Sequence, residues 1–232
     1  MSEALRDRLD AVKGRIVAAA MAADRDPASV TLISVSKTHP PDEVDDAVAA
    51  GAHDLGENRV QEARAKKPDV RPARWHLIGP LQRNKAKAAL EVFDVVHTVD
   101  RVEIAERLQY LLTEHWPDRV LDVLIEVNVG GEVQKAGVAV DDARDLLETA
   151  ESLDRLAVRG LMAIPPYDPV AESSRRYFTA LRRLRDRLQD ETGHPLPELS
   201  MGMSHDFEIA VAEGATMVRV GTAIFGPRKP RS

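Results

Sequence analysis

The chain has no cysteine among its 232 residues, which excludes a disulfide scaffold, thiolate metal sites and a cysteine nucleophile. Aromatic residues make up only 4%, so a core has to be assembled from Ala, Val, Leu and Ile, and the 44% hydrophobic content supplies them. Positive charge is not in excess: 32 Lys and Arg against 38 Asp and Glu leave a formal charge of −6, with no global pull toward nucleic acid or anionic lipid. Long apolar runs are missing too. The longest, Ile16 to Ala23, lies between Arg15 and Asp24, is too short to span a bilayer, and is followed by no small-residue cleavage signal. There is no HExxH, no His pair at metal-ligand spacing and no acidic cluster at a strand end, so no metal is expected. No stretch rich in Ser, Gly or Pro marks a linker, so residues 1–232 are expected to form one domain of a soluble, cytoplasmic protein.

What the sequence does contain is alternation. Residues 3–24 place Leu5, Leu9, Val12, Ile16 and Ala19 at helical spacing, and Asp26-Pro27 ends that helix. The apolar run 31–37 reads as a buried strand, Pro40-Pro41 opens a helix through Ala50, and Gly51 is placed to cap it. Further strand-like runs follow at 53–57, 74–79, 94–99, 121–129, 156–164, 198–202 and 216–221, eight with the first. Helical patterns fill the gaps at 57–67, 81–91, 100–115, 139–153, 171–191 and 204–213. Such βα alternation demands parallel strands covered on both faces. Eight strands with an extra helix in front predict an α/β fold, a single (β/α)8 barrel of the TIM type. A doubly wound open sheet is the rival, weakened because no glycine-rich dinucleotide turn follows the first strand.

In such a barrel, chemistry gathers where strands end at their C-terminal rim. The first strand ends in Ser36-Lys37-Thr38, placing an amine at the mouth, where desolvation makes it a better nucleophile toward carbonyls. After the seventh strand comes Ser204-His205-Asp206, with Ser204 read as an N-cap, and after the eighth comes Gly221-Thr222. Loops after strands 7 and 8 commonly cradle phosphate, using backbone N–H groups and small hydroxyls. Period-two alternation in TMVRVG puts Met217, Arg219 and Gly221 on one face, so Arg219 points into the barrel. A buried guanidinium needs a partner, either an internal carboxylate such as Glu126 or a ligand group. A Schiff-base lysine, a phosphate cradle and an inward arginine suit pyridoxal phosphate, and equally a Schiff-base aldolase acting on a phosphorylated sugar. Spacing does not separate the two.

Other residues read as structural. His76 and His97 fall within strands and are expected as hydrogen-bonded core histidines. Phe178, Leu181, Leu184 and Leu188 form an apolar stripe under the basic run 175–188, so its arginines read as the solvated side of an outer helix. Tyr167 reads as a loop residue, and Glu57 and Glu62 as ordinary salt-bridge positions.

The segments SVSKTHP (34–40), GENRVQEA (56–63), WHLIGPLQRNK (75–85), LIEVNVGGEVQKAGV (124–138), RGLMAIP (159–165) and LSMGMSHDFEIAVAEGATMVRVGTAIFG (199–226) resemble the pyridoxal phosphate homeostasis protein family, in family order across most of the chain. LSMGMS-x-D followed by MVRVGTAIFG is highly specific. The resemblance implies a barrel similar to the N-terminal barrel of alanine racemase, with pyridoxal phosphate held as a Schiff base and a role in vitamin B6 and amino-acid homeostasis. Motif by motif, it places the cofactor's anchor on Lys37, puts Asn58 near the ring, and assigns Met201, Ser204, Arg219, Gly221 and Thr222 to ring nitrogen and phosphate. GGEVQKAGV is looser than the family pattern, so no role is carried over to Lys135, and His205 occupies a variable position.

An arginine at the ring nitrogen opposes its protonation, because like charges disfavour the charged form. Carbanion chemistry is then expected to be poor. Racemisation needs acid/base groups on both faces of the substrate, and in two-domain relatives one comes from a second domain or subunit. The expectation is therefore a monomeric carrier that buffers the cofactor or delivers it to pyridoxal phosphate-dependent apo-enzymes, with a weak racemase-like enzyme as the alternative.

Overall fold

The computed structural model describes residues 3–132 and 134–227. Eight parallel strands form a closed barrel in sequence order: β1 (Thr31–Val35), β2 (Asp54–Glu57), β3 (Arg74–Leu77), β4 (Val95–Val99), β5 (Leu121–Glu126), β6 (Leu156–Met162), β7 (Glu198–Met203) and β8 (Met217–Val220). Closure comes from β8 pairing with β1, which sets Ile33 opposite Arg219. The predicted (β/α)8 barrel is the observed fold, and the open sheet is excluded by that last pairing.

The helices are α1 (Glu3–Ala22), α2 (Pro41–Ala49), α3 (Val60–Lys66), α4 (Ala86–Leu90), α5 (Val102–His115), α6 (Ala143–Glu151), α7 (Arg175–Thr192), α8 (Phe207–Ala212) and α9 (Thr222–Phe225). On α1 the buried face is Leu5, Leu9, Val12, Ile16 and Ala20, with Ala19 only partly buried beside it. This extra helix packs on α8 and α9, where Arg8 Nε donates to the Ile224 carbonyl at 2.6 Å. α2 begins with proline in its first turn and gives way to Gly51 at φ +96°, a left-handed position that glycine takes without a Cβ clash. α7 buries Phe178, Leu181, Leu184 and Leu188 and turns its arginines outward to partners such as Glu172, Glu213 and Asp186. None of the described helices is long and apolar enough to cross a membrane.

The main core lies between sheet and helices, and the scarcity of aromatics shows in it. Trp75, Phe93, Phe178 and Phe207 are its largest members, and aliphatic residues fill the rest. Alternation sends Leu121, Val123 and Ile125 of β5 outward to this layer, while Leu124 joins Val95 and Met162 in a small cluster inside the barrel. Several predicted boundaries move; the helix expected over 81–91, for example, is only α4, and the following cases bear on the rim. The fifth strand stops at Glu126, after which Val127 makes only an isolated bridge to Val138, and the sixth stops at Met162. The helix expected from residue 204 starts at Phe207, because Asp206 closes a turn first, its Oδ1 accepting the Met203 N–H at 2.8 Å.

Candidate functional site at the barrel mouth

Lys37 follows β1 at the parity of Ile33 and Val35, inside a turn closed by the His39 N–H donating to the Ser36 carbonyl at 3.1 Å. It is half-buried at the C-terminal rim. Asn58 comes directly after β2 and is likewise half-buried. Its backbone is held close by Gly79 after β3, where a Cβ would stand 2.4 Å from the Asn58 carbonyl oxygen. Because β8 neighbours β1, Arg219, Gly221 and Thr222 share this sector of the rim with Lys37.

Ser204 is not the N-cap that its position suggested. Asp206 stands there, and the Ser204 hydroxyl oxygen instead accepts the Gly221 N–H at 3.1 Å, tying the loop after β7 to the end of β8. As an acceptor in that bond, the hydroxyl keeps its own proton for another group. Thr222 is exposed and begins α9, whose first N–H groups lack intrahelical acceptors as at any helix start. Met201 is fully buried in the main core with Leu199 and Phe207. Alternation on β7 turns Met201 toward the helices and Ser200 toward the barrel, so the Met201 side chain is not brought to the mouth with the others.

Arg219 lies in the barrel interior, 3% exposed. Its guanidinium donates to Ser200 Oγ at 2.6 Å and to the Ala163 carbonyl at 2.9 Å. A guanidinium carries five N–H donors, more than these two contacts use. Burial lowers its pKa to about 10, while Glu126 and Asp206 work in the other direction, so it remains a cation at neutral pH. Glu126, at the parity of Leu124, also faces inward. Its carboxyl is pushed up to about 7 by burial first and by the charge of Asp100 second, with Arg219 opposing. Glu126, one of the two partners weighed for Arg219, acts on it only through charge, whereas the hydrogen bonds of Arg219 go to Ser200 and Ala163.

A polar chain crosses the barrel beneath the mouth. Ser200 Oγ lies 2.9 Å from His97 Nδ1, His97 Nε2 lies 2.9 Å from His76 Nδ1, and His76 Nε2 lies 2.9 Å from Asp54 Oδ1. Burial, then repulsion from His76 and Arg219, holds His97 well below the usual histidine range and therefore neutral. One tautomer assignment satisfies each contact: Arg219 donates to Ser200, Ser200 to His97, His97 to His76 and His76 to Asp54. Both histidines are the hydrogen-bonded core residues expected, and together they fix the serine that orients Arg219. Ser200 and Asp54 carry no motif of their own in the sequence. Their signal was inward parity on strands that also carry a polar residue opposite.

Tyr167 is a loop residue, 81% exposed, with its ring 5.9 Å from that of His205. Lys135 pairs with Glu132 in the loop after β5. Among the described residues no cluster of His, Asp or Glu is arranged to hold a metal ion.

Comparison with known proteins agrees with this fold. The family model "Alanine racemase, N-terminal domain" matches residues 8–229. The pyridoxal phosphate homeostasis protein of Pseudomonas aeruginosa is 46% identical over 226 residues, covering 97% of this chain and 96% of its own. That of Aquifex aeolicus is 44% identical over 225 residues, covering 96% and 98%. PipY of Synechococcus elongatus, solved with PLP bound, superposes with a TM-score of 0.83 at 39% identity, over 96% of this chain and 100% of that one. An alanine racemase from Clostridium difficile shares the fold, with a TM-score of 0.75 at 13% identity, over 96% of this chain and 59% of its own. The chain therefore belongs to the alanine racemase N-terminal domain family and, within it, to the pyridoxal phosphate homeostasis proteins.

Proposed function

We propose that this protein binds pyridoxal phosphate at the barrel mouth, anchored on Lys37, and serves the homeostasis of that cofactor by holding and releasing it. The observation that carries the reading is the convergence of an amine, a buried cation and a hydroxyl-and-amide cradle on adjoining strands: Lys37 after β1, Arg219 within β8, and Ser204 tied to Gly221 beyond it. When bound, the cofactor supplies an aldehyde for a lysine amine and a conjugated ring that withdraws electrons.

The residues divide the binding. Ser204, held by the Gly221 N–H, would donate a hydrogen bond from its hydroxyl to the phosphate, and Thr222 with the first N–H groups of α9 would add further donors. Arg219, fixed by Ser200 and Ala163, would be the group for the pyridine nitrogen, where its positive charge would oppose protonation. Asn58 flanks the ring, and Met201 supports β7 from behind. An unprotonated ring is a poor electron sink, which favours a carrier over a catalyst. We further propose that the protein is a cytoplasmic monomer that passes its cofactor to apo-enzymes.

The test is the visible absorption spectrum of the purified protein before and after borohydride, with mass mapping of the modified peptide. A yellow protein whose pyridoxyl adduct maps to Lys37, and which Lys37→Ala abolishes, is expected. A protein that takes up no added pyridoxal phosphate and forms no adduct overturns the reading. Transfer of the cofactor to an apo-enzyme without amino-acid turnover then separates carrier from racemase.

A further inference from the structure

The most deeply buried ion pair in the described structure lies behind the Lys37 turn. Glu57 ends β2 with its side chain fully buried, turned outward with Leu55 toward the helix layer. Lys66 ends α3 with its side chain only 4% exposed, and its Nζ lies 2.6 Å from Glu57 Oε1 and 3.4 Å from Glu62 Oε1. Both glutamates make salt bridges, as the sequence suggested, Glu62 as an i,i+4 pair on α3, but that of Glu57 is fully buried rather than ordinary. Burial raises the pKa of the Glu57 carboxyl, and the charge of Lys66 together with hydrogen bonds from Lys66 and Ser36 draws it back.

What this cluster holds is the backbone on either side of Lys37. Lys66 Nζ donates to the Ser36 carbonyl at 2.8 Å, and Ser36 Oγ donates to Glu57 Oε1 at 2.6 Å. On the other side, the Thr38 N–H donates to Glu62 Oε1. Thr38 itself sits at φ +68°. That is the left-handed conformation a type II turn requires at its third residue, where glycine is usual and a β-branched residue is strained. A buried ion pair is seldom repaid in stability, since its desolvation rivals its Coulomb gain. Strained backbone likewise persists only where its surroundings over-determine it. Both costs fall on the residues flanking Lys37.

We infer that Lys66, Glu57 and Glu62 are positioning residues for Lys37: they hold the strained Ser36–His39 turn so that the Lys37 amine faces the mouth, and they set how tightly an aldehyde ligand is kept on that amine. The inference rests on the cofactor reading above. It adds three residues from the helix layer, none of which reaches the ligand.

The experiment uses the full-length protein and pyridoxal phosphate. Three variants are compared with wild type: Lys66→Met; Lys66→Met with Glu57→Gln, which leaves no fully buried charge unpaired, Glu62 being partly exposed; and that double variant with Thr38→Gly added. Each is assayed for its pyridoxal phosphate dissociation constant, for the position of the visible band, and for the rate of borohydride-fixed labelling at Lys37. Thermal unfolding is followed in parallel. Losing a hydrogen bond to a charged group predicts about tenfold weaker binding or more in the folded double variant, with a displaced band. Thr38→Gly, which adopts the turn without strain, restores most of that loss. If Lys66→Met does not fold, the double variant carries the test. A wild-type protein that loads on Lys37 alongside a folded double variant with the same affinity, band and labelling rate overturns this inference alone. Weakened binding that Thr38→Gly leaves uncorrected also overturns it, because the turn is then not what the cluster controls. A wild-type protein that takes up no pyridoxal phosphate overturns the cofactor reading instead.

Discussion

Glu126 ends β5 inside the barrel, 5% exposed, with Oε2 buried and lacking a hydrogen-bond partner among the described residues. Its carboxyl is raised from its ordinary 4.5 to about 7, burial being the largest cause. In the unfolded chain the same group gives up its proton near its ordinary value. Between pH 4.5 and about 7 the folded protein therefore binds more protons than the unfolded one, and stability falls as pH rises through that window. At about 1.36 kcal/mol per pH unit, the whole window amounts to about 3 kcal/mol, fully lost above pH 7. Glu126→Gln keeps the shape of the side chain and removes the titration. Urea unfolding of wild type and variant at half-unit steps from pH 4.5 to 8 supplies the difference curve. The variant should gain on wild type by about 3 kcal/mol across the range, with the gain levelling off near neutrality. A difference curve flat within error would refute the reasoning, since Glu126 would then ionise alike in both states. A curve of opposite slope would mean that Arg219 outweighs burial.

Two further outcomes follow from neighbouring groups. His97 is held well below the usual histidine range, so the unfolded chain takes up a proton first as pH falls below about 6.5. His97→Gln should therefore flatten the acid-side loss of stability by up to about 1.4 kcal/mol per pH unit, which urea midpoints at pH 5.5 and 7.5 would show; an unchanged slope would mean that the folded ring takes a proton as readily as the unfolded one. Ser204→Ala removes the acceptor of the Gly221 N–H and the hydroxyl proposed to face the phosphate. It should weaken pyridoxal phosphate by about five- to tenfold while leaving unphosphorylated pyridoxal nearly unaffected, and equal losses for the two ligands would remove Ser204 from the phosphate cradle.

The barrel was legible because its cause is local. Parallel strands buried on both faces must read as short apolar runs, and the helices between them must read at helical period. Closure alone was non-local, decided by the pairing of β8 with β1. Boundaries slipped where a side chain intervened: Asp206 captured the Met203 N–H and delayed α8, and so Ser204 was freed from capping to hold Gly221. Inward parity on β8 located Arg219, but not its partners Ser200 and Ala163, which lie on β7 and just beyond β6.

By itself, then, the sequence determined the strand and helix order, the side of β8 that carries Arg219, and the family motifs around Lys37, Asn58, Ser204 and Gly221, because these depend on period and short-range pattern. Only the tertiary structure decided that Glu57 and Lys66 are buried together, that Thr38 takes a left-handed conformation, and that Asp54, His76, His97 and Ser200 join into one chain across the barrel. The physical reason is the same for each. Desolvation and hydrogen bonding act between groups brought together by barrel closure and helix packing, and no local spacing encodes which charged residue ends inside.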